Sequence, residues 1–202
     1  MINLPLQTKY TINPIIVMAI AFVLFYFEPL STQWLRFERP NINNGELWRL
    51  LTGNLLHTNF THLLLNCLGV LFVWLLHAEH YTSKSYFFIF SFCSLTCGLG
   101  LYLFTGMVHY VGLSGALHGI IVYGAVKDIK VGWPVSGWLL TIGIIIKVGY
   151  ENIWGPSDDV KVMINADVAV EAHLYGLIGG LILALPLFYQ VFRGFIDDRR
   201  DL

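Results

Sequence analysis

The sequence predicts an all-α membrane protein of about six helices, and three observations carry that reading. Its residues are 56% hydrophobic and only 12% charged, against roughly 25% charged in soluble domains. Apolar runs near the length of a bilayer crossing recur along the chain rather than gathering into one core. At 202 residues the chain has room for about six such crossings with short links. Residues 1–202 are therefore read as a single membrane domain. A net charge of −1 leaves no basic face to neutralise phosphates, which excludes nucleic acid as a partner. The partner implied throughout is the lipid bilayer. Cys67, Cys93 and Cys97 fall inside apolar segments and are expected to be buried free thiols.

The first helix is expected over residues 12–30, too long for a cleaved leader and without a small-residue cleavage site. A polar stretch over about residues 31–60 holds Pro40, Gly45, three asparagines and the aromatic residues Trp34, Phe37 and Trp48. Such a loop should fold against the membrane interface. Helix two is expected over 61–76, helix three over 85–104, helix four over 114–126, helix five over 135–148, and helix six from 168 onward. Lysine and arginine set the orientation. With a cytoplasmic N-terminus, Lys9, Lys84, Lys127, Lys130, Arg193, Arg199 and Arg200 lie inside, while Arg36, Arg39, Arg49, Lys147 and Lys161 lie outside. Both termini are read as cytoplasmic.

Polar side chains within a span each demand a reason, because they are expensive there. Depth arithmetic brings several of them to one level. If helix four leaves the membrane at Lys127, Ser114 stands roughly 20 Å above the cytoplasmic face and about 10 Å below the outer surface. If helix two leaves near His77, His62 and Asn66 stand roughly 22 and 16 Å up and share a helix face. His173 reaches the same depth if helix six exits at about Leu187, leaving residues 188–192 at the interface.

The surroundings of Ser114 and His173 fit a nucleophile and its base. Gly112 and Gly115 flank Ser114 where an extended link turns into a helix, whose first N–H groups are free to hold an oxyanion. Ala172, Gly176 and Gly180 repeat every four residues on helix six, which lets it press closely on a neighbour and carry His173 toward Ser114. A glycine-flanked serine alone is also a common helix contact, and a lone histidine is as readily satisfied by a backbone carbonyl.

Four blocks together resemble the rhomboid family of intramembrane serine proteases. They are Glu46-Leu-Trp-Arg49, His57-Thr-Asn-Phe-Thr-His62-Leu-Leu-Leu-Asn66, Gly112-Leu-Ser-Gly115 and Ala172-His-Leu-Tyr-Gly176. The resemblance implies a six-helix rhomboid-like bundle without metal or cofactor, opening to the outer face of a bacterial inner membrane. It implies Ser114 as nucleophile, His173 as general base, and His62, Asn66 and the Ser114 N–H as oxyanion donors. His57, Trp48 and Arg49 would be structural, pinning the first loop. His118 stands where many rhomboids carry a tyrosine, and this variant resembles the rhombosortase branch. That branch is thought to process surface proteins with a C-terminal Gly-Gly, hydrophobic helix and basic tail, so the expected partner is a transmembrane substrate of that kind.

No carboxylate is evident to orient His173, since Glu171 is two residues away and points elsewhere. A Ser114–His173 dyad is therefore expected. His118 shares a face with Ser114 and is the second candidate for the base. Two rival classes stand beside the protease. A client-binding relative without activity is disfavoured by the presence of both Ser114 and His173. A metal transporter would use His62, His118 and His173, but lacks an acidic pathway. His77, His80 and His109 are read as bystanders.

Overall fold

A computed structural model describes residues 4–198. Its elements are α1 (Thr8–Tyr26), α2 (Leu30–Leu35), β1 (Phe37–Glu38), α3 (Arg39–Asn43), α4 (Arg49–Thr52), α5 (Phe60–His77), α6 (Ser83–Phe104), β2 (His109–Tyr110), α7 (Ser114–Val131), α8 (Pro134–Trp154), α9 (Asp158–Ile164) and α10 (Val170–Asp198). Arg199 and Arg200, counted on the cytoplasmic side, lie outside the described residues.

Local chemistry sets the helix ends. The Asn59 side chain accepts from the His62 N–H at 2.7 Å and starts α5. Thr82 and Ser85 form a reciprocal capping box at the head of α6. Gly132, at φ +103°, stops α7, and Pro134 opens α8 where its missing N–H has no partner to lose. Among the described residues four helices, α1, α5, α6 and α10, are long and apolar enough to cross a membrane. Large apolar side chains such as Phe72, Leu139, Ile146 and Leu185 face outward, as lipid-facing surfaces require. The two other long helices are less apolar for an identifiable reason. α7 carries Lys127, Asp128 and Lys130, and α8 carries Lys147 and Glu151.

α7 is the central post, packed by α5, α6, α8 and α10. Against α10 the two backbones touch. A Cβ on Gly176 would lie 1.8 Å from the Gly115 carbonyl oxygen, and one on Gly180 would lie 2.1 Å from that of Gly119. The repeat of Ala172, Gly176 and Gly180 thus meets the glycines of helix four, as its spacing implied. At the far end, His77 and His80 pair with Asp128 at 3.3 and 2.5 Å and tie the foot of α5 to α7.

The 31–60 stretch is a folded cap. Buried Arg49 donates to Glu46 at 2.6 Å and to the carbonyls of Arg36 and Gln33 at 2.8 and 2.9 Å. Arg39 donates to four carbonyls at the end of α6 and just beyond it, those of Leu101, Tyr102, Thr105 and Met107, which satisfies orphaned helix-end acceptors. Phe37 and Glu38 pair antiparallel with Tyr110 and His109. This two-residue ladder departs from the all-α expectation and fastens the cap to the link that leads into Ser114.

Four boundaries differ from the sequence reading. The first helix ends at Tyr26, and residues 30–35 form a separate short helix. α7 continues past Lys127 to Val131, and α8 runs to Trp154 instead of stopping near 148. Glu151 consequently lies inside α8, one turn beyond Lys147, rather than in an outer loop. α10 passes through Pro186 without a break, so residues 188–192 continue the helix. Polar residues that bond one another tolerate the span, and the periodic pattern alone does not reveal such partners.

The α7–α10 contact predicts a sharp asymmetry among glycines. Gly176→Ala should destabilise the protein by about 1–3 kcal/mol, because overpacking against backbone cannot be relieved by a rotamer change. Gly149→Ala, inside α8 with nothing within 4 Å of the new Cβ, should not lower the melting temperature and should raise it slightly, since alanine is the better helix former. Thermal unfolding of the two variants in detergent checks this.

Candidate active site

Ser114 is the first residue of α7, and the turn before it requires glycine. Gly112 has φ +134°, where a side chain is strained. A Cβ there would also sit 3.0 Å from the Cε1 and Nε2 atoms of His62. The segment is held by the Gly112 N–H donating to Gly53 O at 3.2 Å and by Tyr110 Oη donating to Gly112 O at 2.5 Å. Gly115, the other flanking glycine, lies against Cys97 Sγ and the Ala172 carbonyl.

The α7–α10 contact brings His173 onto the serine. Ser114 Oγ and His173 Nε2 are 2.9 Å apart. The other ring nitrogen, Nδ1, lies 2.9 Å from Glu151 Oε2 on α8. An ionised carboxylate only accepts, so Nδ1 carries the proton and Nε2 presents its lone pair to the hydroxyl. The orienting carboxylate that the sequence reading did not find is Glu151, and the expected dyad becomes a serine–histidine–glutamate line. Its signal was present in the sequence as Lys147 and Glu151, four apart in an apolar run. Ending the helix at 148 hid it. Glu171 is not this partner.

His118 does not face the serine hydroxyl. Its ring stacks on His173 with centroids 4.2 Å apart and planes at 21°. Its Nδ1 lies 2.7 Å from the Ser114 carbonyl oxygen and its Nε2 lies 3.0 Å from Lys147 Nζ. The second candidate for the base is thus turned toward the backbone and α8. His118, Glu151 and His173 each offer a ligand atom within 4.8 Å of the others. The two rings are nearly parallel, so their lone pairs do not converge on one point. The cation at this place is the ammonium of Lys147.

His62 and Asn66 flank the serine from α5. The Thr58 N–H donates to His62 Nδ1 at 3.3 Å, which leaves Nε2 to carry the proton on the side facing Gly112. Asn66 Nδ2 donates to His62 O at 3.1 Å and keeps a second N–H. Both side chains are buried. His57 is edge-on to His62, 5.1 Å between centroids. Trp48, half exposed, donates from Nε1 to Trp34 O at 3.1 Å, so it and Arg49 belong to the cap.

Ser114 stands at the junction of two cavities. One of about 740 Å³ opens under the cap and is lined by His57, His62, Tyr110 and Ala169 among others. A second of about 330 Å³ lies between α5, α7 and α8, with Asn66, His118, Ile144 and Lys147 in its wall. The first offers a path for water. The second offers a sideways approach to the same hydroxyl.

Residues 44–190 match the family model for the rhomboid domain, and that span includes every residue of this site. The chain belongs to the rhomboid family. It is 27% identical over 194 residues to the putative rhomboid protease YdcA of Bacillus subtilis, covering 88% of this chain and 90% of that one. It is 30% identical over 156 residues to the rhomboid protease GlpG of Photorhabdus laumondii, covering 75% of this chain and 51% of the relative. A third relative, the rhomboid protease GluP of Bacillus subtilis, is 28% identical over 153 residues, and the match spans 28% of its length. With its apolar helices, this rhomboid is an integral membrane protein, and it is an enzyme of the rhomboid serine protease type.

The cap carries a pH sensitivity of its own. Burial, reinforced by His62, lowers the pKa of His57 to about 3, against an ordinary value near 6.5. Below pH 6.5 the unfolded chain takes a proton at this ring that the folded chain refuses. Stability is then full above pH 6.5 and falls as pH drops toward 3. Between pH 7.5 and 4.5 the loss at this residue should be on the order of 2–3 kcal/mol. Melting curves of wild type and His57→Gln across that range check it, the variant showing the shallower dependence.

Proposed function

We propose that this rhomboid cleaves transmembrane segments of other membrane proteins, with Ser114 as nucleophile and His173 as general base. The observation that carries the reading is the line Ser114 Oγ–His173 Nε2–Glu151 Oε2, with 2.9 Å at each step. In the first half-reaction Ser114 Oγ attacks the scissile carbonyl carbon while His173 Nε2 takes the hydroxyl proton. Glu151 holds the ring in the required tautomer and balances the imidazolium. The developing oxyanion is met by the Ser114 N–H at the head of α7, by His62 Nε2–H and by Asn66 Nδ2–H. His173 then gives its proton to the leaving amine as the C–N bond breaks. Water activated by the same ring, or another amine, releases the acyl group from Ser114.

The bundle crosses the membrane six times in this reading, α7 and α8 included. Their charged groups are bonded within the protein or placed at the ends. Both termini are cytoplasmic in a bacterial inner membrane, and the larger cavity faces the outer side. Substrate approaches between α5 and α8 and unwinds locally, since a helical peptide bond is shielded by its own hydrogen bonds.

His118, stacked on the base where many rhomboids carry tyrosine, supports the rhombosortase type. The substrate is then a C-terminal anchor with Gly-Gly at the outer edge of its span and a basic cytoplasmic tail. Glycine suits the site chemically, because it is about 1 kcal/mol poorer than alanine as a helix former and so lowers the cost of exposing the bond. Purified protein in liposomes should cut an anchor bearing Gly-Gly and leave one bearing Leu-Leu, of equal length and charge, intact. Ser114→Ala should cut neither. Equal cleavage of both anchors would leave a general rhomboid protease, and cleavage by Ser114→Ala would remove the assignment of the nucleophile.

A further inference from the structure

Lys147 is an ammonium in the middle of α8, thirteen residues from Pro134 and hence roughly 20 Å along the helix. Counted from the turn between α7 and α8, that places it level with His118, one turn of α7 from Ser114. About half of its side chain, 49%, is exposed, an expensive position for a charge among apolar side chains. Its three donors have three acceptors. Nζ lies 2.8 Å from each carboxylate oxygen of Glu151 and 3.0 Å from His118 Nε2.

The donor and acceptor roles follow from that ammonium. Lysine has no lone pair to offer, so His118 Nε2 must be the acceptor and His118 cannot be an imidazolium. The His118 proton is then on Nδ1, where it meets the Ser114 carbonyl at 2.7 Å. Glu151, bound through both oxygens, stays ionised and accepts from His173 Nδ1. One charge therefore dictates both rings. His118 presents a neutral face 4.2 Å from the ring that becomes cationic during turnover, where a second imidazolium would repel it.

We propose that Lys147 is a positioning residue for the reaction. It locks the tautomers of His118 and, through Glu151, of His173, so that one imidazole is the base and the other is held neutral beside it. The inference rests on the protease reading for its kinetic consequence, but not for its structural one. Lys147 and His118 both stand in the wall of the sideways cavity. Moving α8 outward would carry Lys147 and Glu151 away together and disarm the base until the helix returns.

Two measurements test this separately. In protein labelled with ¹⁵N-histidine, NMR should show both His118 and His173 as Nδ1–H tautomers, assigned by the loss of signals in His118→Tyr and His173→Gln. Lys147→Met should convert His118 to a tautomer mixture or a pH-dependent cation, and Lys147→Arg should restore the wild-type pattern in part. In the cleavage assay Lys147→Met should lose at least about tenfold in kcat, since a misassigned tautomer is costly to a serine–histidine pair. KM should stay within about twofold, and Lys147→Arg should regain part of the loss. An Nε2–H tautomer for His118 in the wild type would overturn the proposal whatever the activity. So would wild-type kcat in Lys147→Met. A wild type that fails to cut, with the tautomers as stated, would count against the protease reading alone.

Discussion

The site depends on one contact, the meeting of α7 and α10 backbones at Gly115 and Gly176. Gly115 follows Ser114 directly, and Gly176 lies three residues after His173, so the approach of the glycines fixes the approach of hydroxyl and imidazole. No side chain fits between them, since a Cβ on Gly176 would be 1.8 Å from the Gly115 oxygen. Membrane helices lack a strong hydrophobic force to drive them together, and close van der Waals contact through small residues takes its place. The 2.9 Å spacing of Ser114 and His173 is thus a property of helix packing rather than of a flexible loop.

Around that contact, the polar groups of the inner bundle are satisfied by one another. Lys147, Glu151, His118 and His173 form one connected set from three helices, and Ser114 is its last member. A half-bonded network in an apolar medium would be worse than none. This explains why α8, the least enclosed of the helices packed on α7, carries two charges. The cap completes the arrangement from the outer side. The ladder of Phe37 and Glu38 with Tyr110 and His109, together with the Tyr110 hydroxyl on Gly112 O, holds the link in the left-handed turn that presents Ser114.

Much of this was legible in the sequence. Apolar runs located the long helices but ended the fourth and fifth too early, short of Val131 and Trp154, and the spacing of Ala172, Gly176 and Gly180 pointed to the partner of α10. Depth arithmetic put Ser114, His62 and Asn66 at one level because helix rise is constant, while His173 joined them only by setting the exit of helix six at about Leu187. Glu151 escaped because charges were read as ends of helices, whereas Lys147 and Glu151 neutralise each other one turn apart inside one. The folded cap escaped for a different reason. Its geometry is held by arginine donors reaching backbone carbonyls distant in sequence, as Arg39 reaches Leu101 and Met107, and no local pattern encodes such bonds. The orientation of His118 likewise depends on Lys147, 29 residues away.

The central claim is that His173, and not His118, activates Ser114. Its most direct test is peptide mapping by mass spectrometry after treatment of the membrane-embedded protein with a fluorophosphonate, which needs no substrate. The account predicts a single phosphonylated serine at Ser114 in wild type, its loss in His173→Ala, and its retention in His118→Tyr. Labelling that survives in His173→Ala and vanishes in His118→Tyr would contradict it.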